Sequence, residues 1–514
     1  MVKLGWVLAA GSALISVPAT AQWHQATSKH FIIYGDMPAE EMKAYATKLE
    51  TFDAAARLIR SMKDPEVGDG NRVQVFVTPS MLEVNRLFGG NAESGILGYY
   101  VGNVEGPYIV TPRKIRMMGQ NLKKTPPENV FFHEYTHHLQ LQNTNKPMPA
   151  WLSEGFAEFL SEPRFEEDGS IGLGTPVTDR AEQLYKYPWA PLGDLLEGNA
   201  YTLSYNDFWH QNYAQGWLLN HYLIFEKSRK GQIETYVQGI EQGQNPRDAA
   251  ISAFGDIGQL ERELLEYKKA KRWPYVKIDS TKLQIDPVTV TALSPGAADA
   301  MPYRIHAKTG FRALGPDASV AKMRSIAPRY PNDPLVMRTL AEVEERADNH
   351  DEAETAADAA LKLEPKSTEA LILKGRALFS RAKNANDPAL FKQARASFLA
   401  ANKLDPEDPE PLYMYFRTFV DANEAAPQSA LEAAKYAVVL APRDYGVAEE
   451  VTYELIRQNK LVEAAAMIKP IAYMPHYGQG RQNSALRVLA LIQKGSREEA
   501  EKLAKKEFMD GGGN

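Results

Sequence analysis

The chain has 514 residues, 44% of them hydrophobic and 24% charged, with a net charge of −6. That length suggests two or three domains, and the mild acidity offers no basic field, so nucleic acid is not expected as a partner. The absence of cysteine excludes a disulfide framework and any thiolate metal site.

Residues 1–21 carry one positive charge at Lys3, an apolar stretch, and Ala19-Thr20-Ala21 ahead of Gln22. This is the pattern of an export signal cleaved after Ala21. The apolar run is too short to span a bilayer, and no later segment is long enough. The mature protein is therefore expected to be periplasmic or secreted, with no membrane span and a charge of about −7.

In chain order, His30–Tyr34 and Arg72–Val77 predict strands, each followed by a helix, over 39–62 and 80–88. Ile96–Val101 and Pro107–Thr111 predict two further strands around a turn at Asn103-Val104-Glu105-Gly106. Residues 22–124 thus read as a small α+β layer.

A metal-binding motif follows directly: His133-Glu134-Tyr135-Thr136-His137. On a helix the two histidines stand one turn apart on one face, so both imidazoles reach one ion. Glu134 lies about 100° around from His133, placed to take a proton from a water. Thr125-Pro126-Pro127-Glu128 reads as a capping box with proline at the first helical position, so a helix is expected to start where the motif needs one. His138 is off the ligand face and reads as a packing residue or one that supports a ligand. Catalytic zinc takes three protein ligands, and with no cysteine the third must be His, Glu or Asp. The next segment, Ala150-Trp151-Leu152-Ser153-Glu154-Gly155-Phe156-Ala157-Glu158, reads as a second helix with Glu154 and Glu158 on one face.

Over these two helices the chain resembles the gluzincin metallopeptidases, whose pattern is His-Glu-x-x-His followed by Trp-Leu-x-Glu-Gly-x-Ala. Sixteen residues separate His137 from Glu154, a shorter interhelical loop than in the aminopeptidase branch. The resemblance implies a zincin-like α+β domain holding zinc on His133, His137 and Glu154, with Glu158 orienting a ligand histidine. It also implies peptide hydrolysis by a metal-activated water, with Glu134 as general base and a strand edge that reads an extended peptide. Asn212-Tyr213-Ala214-Gln215-Gly216 is similar to the Tyr-x-x-Gly helix start that supplies an oxyanion-stabilising tyrosine. Tyr213 fits that role, and His210 is a second candidate. Gly102-Asn103-Val104-Glu105 is similar to a Gly-x-x-Glu stretch that holds a substrate N-terminus, although a plain hairpin turn explains it as well.

Residues 180–272 read as helical, completing a peptidase-like segment over 22–275, and 276–313 read as a linker or small cap. From 314 to 508 the chain repeats. Pro331, Pro365, Pro406, Pro442 and Pro475 each follow a helix, and the same spacing of mostly small residues recurs before three of them: Ala353, Ala357 and Ala360; Ala394, Phe398 and Ala401; Ala430, Ala434 and Ala437. This resembles the tetratricopeptide repeat, an all-α superhelical solenoid that engages protein partners. The combined expectation is an exported zinc peptidase whose solenoid recruits substrate or partner. The rival is a scaffold protein in which the solenoid carries the function and the metal domain is inactive or regulated.

Overall fold

The computed structural model describes residues 22–91, 96–114, 126–141, 148–197, 209–473 and 483–510. The expected export signal, Thr125 of the capping box and Pro475 lie outside the described residues.

The N-terminal layer runs β1 (Trp23–Thr27), β2 (Phe31–Asp36), α1 (Ala39–Ile59), β3 (Val73–Thr78), α2 (Met81–Phe88), β4 (Tyr99–Val101) and β5 (Tyr108–Pro112). The two metal-motif helices follow as α3 (Pro127–Leu141) and α4 (Ala150–Ser161), then a short hairpin of β6 (Arg164–Phe165) and β7 (Ile171–Leu173). Helices α5 (Thr178–Lys186), α6 (Leu192–Leu196), α7 (Trp209–Phe225), α8 (Gln232–Glu241), α9 (Pro246–Phe254) and α10 (Ile257–Tyr267) complete this half.

The segment 276–313, expected to be a linker or small cap, contains two strands and a helix. β8 (Val276–Ile278) joins β6 and β7, and β9 (Thr289–Ala292) pairs antiparallel with β1. This closes a six-stranded sheet in the order β4-β5-β3-β2-β1-β9. β2, β3 and β5 are parallel, in register Phe31↔Val73 and Gln74↔Tyr108, and β4 is an antiparallel edge strand.

Strand alternation sends side chains to two cores. Phe31, Ile33, Val73, Val75 and Ile109 pack with Phe52 of α1 and Phe131, Phe132 and Tyr135 of α3. Tyr34, Phe76, Tyr108 and Val110 face the other way and pack with α2 and with Ala297, Met301 and Ile305. Those last three belong to α11 (Pro295–Lys308), the helix that opens the solenoid.

The solenoid continues as α12 (Pro316–Ile326), α13 (Pro334–Arg346), α14 (His350–Leu363), α15 (Thr368–Ala385), α16 (Pro388–Leu404), α17 (Pro409–Val420), α18 (Gln428–Leu440), α19 (Tyr445–Arg457), α20 (Leu461–Ala472), α21 (Ser484–Gln493) and α22 (Arg497–Ala504). Several starts share one device: Asp333, Asp387 and Asp408 each cap a helix whose next residue is proline. The turn after each first helix of a pair uses a left-handed residue, Asp348, Asn386, Asn423 and Asn459, with Gly310 and Gly495 at the two ends. All nine residues of that recurring pattern, eight alanines and Phe398, are buried, as helix pairing requires.

The solenoid does not hang free. Glu105, in the turn between β4 and β5, pairs with Arg346 of α13 and approaches Arg376 of α15 at 3.7 Å. Burial alone would raise its carboxyl, but Arg376, Arg346 and Lys308 hold it well below the usual carboxylate range. Val104 beside it is buried within the solenoid's own core, and its N–H donates to Asp444 at 3.0 Å. The turn faintly similar to a substrate-binding stretch is therefore a docking element. Gly70 N–H donates to Asp405 Oδ2 at 2.9 Å. A cavity of about 730 Å³ remains between sheet and solenoid, lined by Tyr34, Gln74, Arg304, Glu369, Arg376 and Asp408, away from the metal-motif helices.

Asp408 gives this interface a pH dependence. Burial pushes its carboxyl up to about 7; the Glu410 N–H works against that shift and the Asp405 charge adds to it. The folded state thus holds a proton, between about pH 4 and 7, that the unfolded chain releases, so this group's contribution falls as pH rises through that window. Asp408→Asn keeps a capping oxygen and removes the buried charge. It is expected to gain about 2–4 kcal/mol over the wild type at pH 8 and little at pH 4, measured by urea unfolding at both values. An equal difference at both would contradict the assignment.

Candidate metal centre

α3 begins at Pro127, with Glu128 in its first turn. It is anchored from below: the Tyr135 hydroxyl, between the two motif histidines, donates to Asp53 Oδ1 at 2.7 Å, and Arg57 Nε donates to both Asp53 oxygens at 2.8 Å. His30, Glu50 and Asp53 are close enough together to suggest a second metal site. That cluster already holds its cation, because Arg57 fills Asp53 and His30 Nδ1 bonds Glu50 at 2.7 Å.

α4 is pinned to its neighbours by small groups and amides. A Cβ on Gly155 would lie 2.2 Å from the Gly216 carbonyl carbon, so α4 and α7 meet backbone to backbone. Asn220 of α7 donates to the carbonyls of both Trp151 and Gly216. Gln140 of α3 donates to the Ser153 carbonyl at 2.9 Å and accepts from the Ser153 hydroxyl at 2.9 Å. These bonds fix α3, α4 and α7 relative to one another.

The result brings the predicted residues together. His133 Nε2 and His137 Nε2 each lie 3.5 Å from Glu154 Oε2. Donor atoms of all three fall within 4.8 Å of one another. A tetrahedral zinc with bonds of about 2.0–2.1 Å needs ligand atoms roughly 3.4 Å apart, so the set fits the ion. The outer nitrogens are occupied: His133 Nδ1 lies 3.1 Å from Glu158 Oε1, and His137 Nδ1 lies 3.2 Å from Gln140 Oε1. Both rings therefore turn Nε2 inward, as metal-bound histidines do.

Glu154 is fully buried and Glu158 nearly so. Burial alone would raise Glu158, yet Arg180 and His133 hold it at about 2, and Arg180 Nη2 donates to it at 2.7 Å. Burial alone would lower His133, but Glu158, Glu154 and Glu134 raise it to about 10. The donor set thus attracts a positive charge. Glu134 is half-buried on α3, and its charge acts on His133, Tyr100 and Arg443.

The two candidates for an oxyanion donor part company. The Tyr213 ring lies against the His133 imidazole, centroids 6.2 Å apart, with the Arg180 guanidinium 4.9 Å from its centre. His210 stacks on Tyr187 at 4.0 Å, and burial with the charges of Arg180 and Lys186 lowers its pKa. His138 packs on Tyr135 and bonds the Tyr100 hydroxyl at 3.0 Å; burial first, then Arg57, His30 and Arg443, push it down to about 3. Sequence reasoning missed Arg180 and Arg443, which no motif marks.

Glu158→Gln retains an acceptor oxygen for His133 but not the charge. Zinc affinity is expected to fall about 10–100-fold, measured by competition with a chromophoric chelator. Unchanged affinity would remove Glu158 from the site.

A tetratricopeptide repeat family model matches residues 318–377, which run from within α12 into α15; the chain carries this repeat. No curated protein matches the chain. Among solved structures, MamA from Desulfovibrio magneticus RS-1 is 21% identical, covering 34% of this chain and 94% of its own, with a TM-score of 0.28. A MamA RS-1 double mutant gives 20% identity, the same coverage and a TM-score of 0.28. A thermophilic tetratricopeptide repeat protein of Thermus thermophilus is 14% identical, covering 39% of this chain and 98% of its own, with a TM-score of 0.30.

Proposed function

We propose that the chain is an exported zinc-dependent peptidase of gluzincin type, with a zincin-like domain over 22–275 and repeats that recruit substrate or partner. The observation carrying this reading is the convergence of His133, His137 and Glu154 beside Glu134, at separations that suit a tetrahedral ion. When bound, zinc would supply Lewis acidity, lowering the pKa of a water towards about 7 and polarising a carbonyl.

The chain's own residues would do the rest. Glu134 takes the proton of the attacking water and passes it to the leaving amine. Tyr213, against His133, donates to the developing oxyanion; His210 is the alternative donor. Glu158 keeps His133 oriented, and Arg180 keeps Glu158 ionised. β4 is an edge strand, which would let an extended peptide pair along it with little regard to side chains. Among the described residues no helix is long and apolar enough to cross a membrane.

A second reading is favoured by the family match at 318–377, which speaks to the solenoid alone. In it the chain is a scaffold that binds protein partners through its repeats. Mass-spectrometric profiling of a peptide library separates the two. Zinc-loaded protein is expected to cleave, and Glu134→Gln to lose about 10²–10⁴-fold of that rate while keeping zinc. Full activity in Glu134→Gln would contradict the mechanism, and no cleavage by either protein would favour the scaffold.

A further inference from the structure

Arg443 is an anomaly. It sits in the turn between α18 and α19 of the solenoid, yet its guanidinium lies 5.3 Å from the centre of the Tyr100 ring on β4. Tyr100 in turn bonds His138 of α3. Tyr445, two residues on, packs against the core beneath the metal-motif helices as well as the solenoid's own. The Asp444 bond to Val104 N–H holds this turn in place. A solenoid turn thus forms part of the wall beside α3.

Among the described residues Arg443 makes no side-chain hydrogen bond and no ion pair, and its Nη1 is buried without a partner. A guanidinium offers five donors in a planar fork, and a buried donor left without an acceptor is costly. The negative charges acting on it, beyond the two tyrosines, are Glu134 and Glu154 of the candidate centre. Neither lies within ion-pair distance of it. In the function proposed above both are committed elsewhere, Glu154 to the metal and Glu134 to the water's proton. Among the described residues no carboxylate of the chain pairs with it at close range, which leaves the fork open to a ligand.

We propose that Arg443, held beside α3 by the solenoid, is a specificity residue that binds a carboxylate of the peptide substrate. This rests on the peptidase reading and adds the substrate's charge to it. Planar bidentate pairing makes arginine the residue suited to that partner. The carboxylate belongs either to an acidic side chain or to the peptide's C-terminus. The solenoid is then a component of the site, and its repeats set which substrates are read.

The test measures binding rather than turnover. Full-length zinc-loaded Glu134→Gln protein is titrated with dansyl-labelled Ala-Ala-Glu-Ala-Ala, its C-terminal amide, and the Gln counterparts of both. Removing the recognised carboxylate is expected to weaken binding about tenfold, and the peptide pair showing the loss identifies its source. Adding Arg443→Met should abolish the preference with the melting temperature retained, and Arg443→Lys should keep part of it. Equal binding of all four peptides, binding of none, or a preference that survives Arg443→Met would overturn the assignment. If the methionine variant does not fold, a full preference in Arg443→Lys overturns it and a reduced one supports it. Zinc content is read on the same samples, so its absence would fail the peptidase reading separately.

Discussion

Two carboxylates buried one turn apart on α4 set the terms for the structure around them. Glu154 and Glu158 are placed where an unpaired charge is costly, and the surrounding elements are arranged to answer that cost. Arg180 answers Glu158 directly, and the two imidazoles of α3 converge on Glu154. The Gly155–Gly216 contact, the Gln140–Ser153 amide pair and the Tyr135–Asp53–Arg57 chain hold these groups in place. Such rigidity would suit the proposed metal, whose bond lengths are fixed.

The central sheet joins this centre to the solenoid. One face packs on α1 and α3, and the other on α2 and α11, the first solenoid helix. The β4–β5 turn then places Glu105 among arginines of two later helices, and the α18–α19 turn returns to Tyr100 beside α3. The first helices of successive repeats therefore spend part of their surface on the same chain. A partner recruited by the repeats would have to engage the remaining faces or share the wall that Arg443 forms.

Much of the centre was legible because its signals are local. Two histidines at helical spacing, a glutamate between them and a second helix with Glu154 and Glu158 each declare themselves within a few residues. The repeats were legible for the same reason, from alanines and prolines at fixed offsets. What escaped depends on contacts distant in sequence. β9 is short and mostly exposed, and its role appears only when it lies beside β1, more than 250 residues earlier. Glu105 looks like part of an ordinary turn until Arg346 and Arg376 are brought to it. Arg443 resembles any charged residue between helices, because nothing nearby in sequence reports that its neighbour is Tyr100. The left-handed Asp348, Asn386, Asn423 and Asn459 were an available signal for the repeat turns, stronger than the proline spacing in the irregular stretch.

The most direct measurement is X-ray absorption at the zinc edge on the full-length protein after metal loading, with metal content from the same sample. One zinc per chain is expected, bound by two imidazole nitrogens and a carboxylate oxygen at about 2.0–2.2 Å, with the carboxylate contribution lost in Glu154→Ala. A protein that retains no zinc, or binds it unchanged without Glu154, would contradict the assignment of His133, His137 and Glu154 as a metal centre.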